Sequence, residues 1–180
     1  MSSVPKGCVF GRESLLRLLA QTPPLVEGLY SPDQQVQPNG IDITVREVAA
    51  FRSAGRMAAD SAGRLLSEMS PLAWGADGWI ALTPGPYLVT FNEIVHLPRD
   101  VTALGKPRSS LLRCGVAVHN AVWDAGYSGR SQALLVVYNP QGFRLERNAR
   151  VLQLVFLVLT EEVAEGYRGR YQGENMDSSQ

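Results

Sequence analysis

Short β-branched or alternating apolar runs, separated by Gly, Pro and Asn, recur from residue 41 onward and dictate what this chain can fold into. They fall at residues 41–45, 87–91, 93–97, 115–118, 133–138, 143–146 and 151–158. Only residues 12–20, with leucines at 15, 16, 18 and 19, carry a convincing helical period, and that helix stops at Thr22-Pro-Pro. Many short strands with few helices favour a mainly β fold, a distorted β-barrel or jelly-roll, over any βαβ arrangement. Between two of the runs, Asn139-Pro-Gln-Gly142 has the chemistry of a tight turn, since Pro presets the first turn angle and Gly accepts a positive one, and a hairpin is expected there. A doubled Ser-Ala-Gly-Arg, at 53–56 and 61–64, is too short for a repeat architecture and reads as a flexible excursion.

Composition limits function. With 17 Lys+Arg against 17 Asp+Glu the formal charge is zero, so nothing favours non-specific nucleic-acid or anionic-membrane binding. Residues 1–7 lack the apolar core of a leader, and the longest apolar run, 151–159, is interrupted by Gln153 and reads as a strand. Cys8 and Cys114 stand far apart with no partner at metal-ligand spacing, and His96 and His119 are not at ligand spacing either. The expectation is a cytoplasmic protein with reduced thiols, no protein-built metal centre, and no membrane or nucleic-acid partner. Residues 1–160 read as one β domain with an N-terminal helical extension. Residues 161–180, polar and Gly-rich, read as a flexible C-terminal arm that orders on something.

The segment Lys106-Pro-Arg-Ser-Ser-Leu-Leu-Arg113, with Asp124-Ala-Gly-Tyr-Ser-Gly129 eleven residues on, concentrates the chemistry. Arg108 and Arg113 offer guanidinium forks and Ser109 and Ser110 hydroxyls, a compact donor set for phosphate oxygens. A pocket built only to hold an anion has no use for Asp124, so the pair of features points to work on a triphosphate. On the residues alone, Asp124 serves equally as a turn residue before Gly126, Tyr127 as a sheet aromatic, and the Ser-Ser-Arg stretch as a solvated helix turn. Gln153 within an apolar strand needs a partner, either ligand or backbone.

Five blocks in order carry a resemblance: Gln35-Val-Gln-Pro-Asn-Gly-Ile-Asp42-Ile, Pro107-Arg-Ser-Ser-Leu, His119-Asn-Ala-Val-Trp-Asp124-Ala-Gly-Tyr127-Ser-Gly129, Ala149-Arg-Val-Leu-Gln153-Leu-Val-Phe and Gly169-Arg-Tyr-Gln-Gly173. Over about residues 15–173 the chain resembles the deoxyuridine triphosphatase (dUTPase) and dCTP deaminase superfamily, most of all the archaeal-type dUTP diphosphatases. The resemblance implies a homotrimer with shared sites and Mg2+-assisted hydrolysis of dUTP to dUMP and pyrophosphate. Asp124 stands where the family's water-activating aspartate stands, and Tyr127 where a tyrosine packs under the deoxyribose. Arg108, Ser109, Ser110, Arg113 and Gln153 match phosphate-binding positions. Arg170 and Gln172 match the closing arm, and main-chain groups near Val122 read uracil. Asp42 is associated with the architecture of the site. Two rival readings are dCTP deamination, alone or bifunctional, and a non-catalytic binding or assembly role on the same scaffold. Against the first, residues 133–138 lack the carboxylate that shuttles protons in family deaminases, and Glu146 lies too far along to replace it. Ala125, Ser128 and the Arg130-Ser-Gln132 stretch depart from the family pattern.

Overall fold

The computed structural model describes residues 8–176. Residues 1–7, read above as lacking a leader, and residues 177–180, the end of the expected arm, lie outside the described residues. In chain order the elements are α1 (Arg12–Leu19), β1 (Val26–Glu27), α2 (Pro32–Gln35), β2 (Val36–Gln37), β3 (Gly40–Phe51), β4 (Met69–Pro71), β5 (Trp79–Leu82), β6 (Gly85–Phe91), β7 (Ile94–His96), β8 (Val101–Pro107), α3 (Ser109–Arg113), β9 (Val116–His119), β10 (Ser128–Gly129), β11 (Gln132–Val137), β12 (Phe143–Glu146) and β13 (Arg150–Val158).

The largest sheet runs β8-β13-β3-β6-β11-β9, with β2 and β4 added along β3, and every pairing in it is antiparallel. Its two end strands lie against one another, and an isolated bridge joins Ala103 to Trp123, so the sheet curls almost back on itself as a distorted barrel. The spine is β3. Its first half pairs with β13 through Asp42↔Gln153, and its second half with β6 through Val48↔Val89. A register shift between Val45 and Glu47 separates these halves and lets one strand serve both. Alternation then fills the interior: Ile41, Ile43, Val45, Val89, Phe91, Leu135, Leu152, Leu154 and Phe156 are almost completely buried, and Leu15 of α1 joins them. Each such side chain contributes about 1.5–3 kcal/mol by leaving water.

Several boundaries differ from the sequence reading for local reasons. The strand expected at residues 41–45 continues to Phe51, with the charged Arg46-Glu47 pair accommodated at the register shift. The sequence Gly105-Lys106-Pro107 hides β8, whose partner is β13. The turn at residues 139–142 forms, with Gly142 at φ 81° and its N–H donating to Asn139 O at 2.9 Å. It does not make a hairpin. Both edges of β11 are already occupied by β6 and β9, so β12 pairs with β5 instead. The excursion after β3 is tied by reciprocal bonds between Arg56 and Leu65, N–H to carbonyl at 2.7 and 2.8 Å.

Candidate active site

Trp123 fixes the start of the site. Its N–H and C=O exchange hydrogen bonds with Ala103, its carbonyl also accepts from Thr102 Oγ1 at 2.8 Å, and its indole N–H donates to Ser131 Oγ at 3.0 Å. The indole is buried, while the next side chain, Asp124, is exposed. Asp124 opens a tight turn closed by Tyr127 N–H donating to Asp124 O at 3.0 Å. Gly126 occupies the third position at φ 82°, a conformation that favours glycine. The turn therefore aims a carboxylate outward and buries a phenol beneath it. Both residues line a cavity of about 840 Å³, with Val122 at its rim.

The rest of the cavity wall comes from far away in sequence. Arg56, Met57 and Leu65 of the excursion contribute one side, and Tyr167, Tyr171 and Glu174 of the C-terminal segment another. That segment lies along residues 125–130. Tyr167 N–H donates to Ala125 O at 2.8 Å and Gly173 N–H to Ser128 O at 2.8 Å, while the Gln172 amide bridges Ser128 N–H and Gly126 O. The Tyr127 hydroxyl donates to Glu174 Oε1, and Tyr167 packs edge-on against the Tyr127 ring. Burial, reinforced by the neighbouring Glu174 carboxylate, pushes the Tyr127 phenol above its ordinary range; burial likewise raises Glu174, against the phenol's hydrogen bond. Arg170 is exposed.

The expected phosphate block stands elsewhere in the chain's own fold. None of Arg108, Ser109, Ser110, Arg113 and Gln153 lines the Asp124 cavity. Ser109 and Ser110 are exposed in the first turn of α3, and Arg113 Nη1 donates to Ser109 O at 3.0 Å. Arg108 Nε pairs with Asp42 Oδ2 at 3.2 Å, and Arg150 Nη1 reaches the same oxygen at 3.3 Å. Asp42 is 2% exposed, and its burial raises the carboxyl even though two guanidinium groups pull it down. Gln153 lies across from Asp42 on one side and Lys106 on the other, packed so close to Gly40 that a Cβ there would stand 2.9 Å from Gln153 Cγ. Arg108, Asp42, Arg150 and Gln153 thus form one cluster on the β3–β13 face, and Asp124 and Tyr127 form another. A second cleft of about 580 Å³, between β8 and β9, contains Lys106 and His119 and shares Val122 with the first.

Sequence reasoning missed a third polar group. Glu93, 1% exposed, accepts from Gln35 Nε2 at 2.7 Å, Thr44 Oγ1 at 2.6 Å and Thr44 N–H at 2.9 Å. Burial pushes its carboxyl up, against these three hydrogen bonds. In the sequence Arg130 stands out only as a departure from a pattern, and Glu174 not at all. A carboxylate inside the apolar run 91–97 was the available signal for Glu93; nothing local marks Glu174. Cys8 and Cys114 are free and exposed. Among the described residues no three His, Cys, Asp or Glu side chains converge, and no helix is long and apolar enough to cross a membrane.

Comparison with known proteins places this geometry. A family described as dCTP deaminase-like matches residues 9–159. A protein of Methanosarcina mazei named probable deoxyuridine 5'-triphosphate nucleotidohydrolase is 50% identical over 161 residues, which cover 89% of this chain and 94% of that one. Proteins of the same name from Methanococcoides burtonii and Archaeoglobus fulgidus are 48% and 44% identical, covering 93% and 91% of this chain and 99% and 95% of theirs. Among solved structures, 2'-deoxycytidine 5'-triphosphate deaminase from Agrobacterium tumefaciens superposes with a TM-score of 0.66 at 21% identity, over 84% of this chain. This chain spans about half of that structure, 48%, and the likeness is one of fold. A distorted antiparallel barrel, an Asp-x-Gly-Tyr turn beside a cavity, and a family match across most of the chain agree: the protein belongs to the dCTP deaminase-like family.

Proposed function

We propose that the protein hydrolyses dUTP to dUMP and pyrophosphate, with Asp124 as the base. The observation that carries this reading is the exposed Asp124 carboxylate at a cavity whose floor is the buried Tyr127 phenol, in a chain half identical to an archaeal relative named for that reaction. Asp124 orients a water and takes its proton as the new bond to the α-phosphorus forms. The bond from that phosphorus to the α,β-bridging oxygen breaks, and pyrophosphate leaves with the electron pair. Tyr127 supplies a flat face for the sugar, and main-chain groups about Val122 supply the base edge contacts.

Deamination is the weaker reading. β11 presents Ala133, Leu134, Leu135, Val136 and Val137 after Gln132, with no carboxylate to carry protons to a pyrimidine ring. Among the described residues the acids lining the cavity are Asp124 and Glu174.

Magnesium suits this donor set as a passenger on the substrate. Its hard oxygen ligands would come from the triphosphate and from water, with the open Asp124 carboxylate beside them. When bound, it neutralises phosphate charge and holds the triphosphate in one conformation. The Arg108–Gln153 cluster stands apart from the Asp124 cavity within one chain, which favours a homotrimer whose neighbouring copy brings phosphate donors to the base. Supply of dUMP for thymidylate synthesis and removal of dUTP in the cytoplasm would be its biological sense.

The test is incubation with Mg2+ and, separately, dUTP, dCTP and dTTP, with products resolved by anion exchange. The expected result is dUMP and pyrophosphate from dUTP. Formation of dUTP or dUMP from dCTP would reinstate deamination, and no product from any nucleotide would overturn the enzymatic reading.

A further inference from the structure

Arg130 makes an unusual set of contacts for a guanidinium. It is 9% exposed, and its side chain is spent on main-chain carbonyls: Nη1 donates to Asn92 O and, at 3.4 Å, to Phe91 O, while Nε donates to Asn175 O at 3.1 Å. Its own peptide groups grip the same C-terminal segment. Arg130 N–H donates to Glu174 O at 2.9 Å, and Arg130 O accepts from Asn175 Nδ2 at 3.0 Å. One residue therefore holds Glu174 and Asn175 by three hydrogen bonds, and ties them to the corner that follows β6. The side chain so placed is Glu174, whose carboxylate meets the Tyr127 hydroxyl at 2.9 Å. Space there is tight: a Cβ on Gly129 would stand 2.6 Å from Tyr127 Oη and 3.3 Å from Glu174 Cγ.

We propose that Arg130 is a positioning residue for the active site, clamping Glu174–Asn175 against residues 127–130 so that the Glu174 carboxylate locks the Tyr127 phenol at the cavity floor. A planar fork is what the task needs, because donors must reach carbonyls in two directions at once, and a lysine ammonium on its flexible stem does not reproduce that. Arg130 touches neither the cavity nor a reacting atom; it acts through Glu174 and Tyr127. This inference rests on the hydrolase reading for its kinetic consequence, but not for its structural one.

The experiment compares full-length protein, Arg130→Ala, Arg130→Lys, Asn175→Gly and a chain ending at Tyr171, the last with and without Arg130→Ala. Asn175→Gly accepts the left-handed backbone of that position, φ 53°, and removes the side chain whose amide meets Arg130 O, while the main-chain carbonyl that receives Arg130 Nε stays. Two quantities are read: amide hydrogen exchange at Gly173, and kcat/KM for dUTP. The expected result is exchange at Gly173 faster by about 10-fold or more in Arg130→Ala and Asn175→Gly, with Leu135 in β11 unchanged. kcat/KM falls by about 10-fold or more in full-length Arg130→Ala, is only partly recovered by Lys, and falls no further when Arg130→Ala is added to the shortened chain. Unchanged exchange at Gly173, or an equal loss from Arg130→Ala in the shortened chain, would overturn the proposal and leave Arg130 a packing residue. Absence of dUTP turnover in the unaltered protein would overturn the hydrolase reading, while faster exchange at Gly173 would still uphold the clamp.

Discussion

Tyr127 and Glu174, 47 positions apart, share a hydrogen bond of 2.9 Å in which the phenol donates to the carboxylate. Burial raises the Glu174 carboxyl above its ordinary 4.5, and the phenol's bond opposes that rise. A carboxyl raised in the folded protein contributes stability that is fully present below the unfolded value and is lost as pH rises through the folded one. The Glu174 contribution to the docked segment is therefore greatest below 4.5 and declines as the carboxyl ionises above that, with the Tyr127 hydrogen bond to the carboxylate offsetting part of the decline. Arg56, Asp124, Tyr167 and Tyr171 line the same cavity and the Arg130 guanidinium anchors the same segment, and Glu174 is half-buried, so solvent screens part of the effect. A carbon-13 NMR titration of the Glu174 carboxyl should find its midpoint above 4.5, and Tyr127→Phe should move that midpoint higher still. A downward move would show that the phenol does not stabilise the charged form.

Asp124→Asn keeps the size and turn-forming chemistry of the side chain and removes its basicity. Turnover of dUTP should fall by about 100-fold or more, with binding of a non-hydrolysable dUTP analogue and the thermal midpoint little changed. Full activity in this variant would remove Asp124 from the role of base.

The Asp42 carboxylate serves two arginines from inside the β3–β13 face. Asp42→Asn leaves Arg108 and Arg150 without their counter-charge and should cost about 1–3 kcal/mol in urea unfolding. Arg108→Met should cost less, because Arg150 still faces Asp42 and Arg108 is already one-third exposed, 32%. If both variants cost the same, the pair with Arg150 contributes little.

Gly126 is constrained twice. At φ 82° an L-residue is strained, and a Cβ there would stand 2.6 Å from Gly166 Cα. Gly126→Ala should lose about 1–3 kcal/mol in thermal unfolding, and part of that loss should vanish in a chain ending before Gly166. Equal losses in both backgrounds would assign the whole cost to the turn.

Legibility in the sequence followed distance along the chain. Residues 87–91, 133–138 and 151–158 announce strands because their alternation is local, and the Asp-x-Gly-Tyr turn is legible for the same reason. Gly105-Lys106-Pro107 interrupts the pattern of β8, and β12 pairs with β5 and not across its turn, because pairing depends on which edges remain open. Glu93 meets Gln35 across 58 positions, and Arg130 meets Asn175 across 45. Such partners follow from topology, which a periodicity argument does not supply. The same limit separated the two halves of the expected site: Arg108 and Asp124 are 16 positions apart by number, 124 − 108, yet belong to different clusters.

The short strand β10 pairs with β7 along one edge and offers its other edge to residues 172–174. The anchoring bonds on the receiving side are largely peptide N–H and C=O groups of residues 126–130, so this edge would give an identical tail from another copy the same welcome. Where copies assemble, effective concentration, set by the reach of the connection after β13, decides whose tail is seated, and two tails can trade places without changing the number of hydrogen bonds.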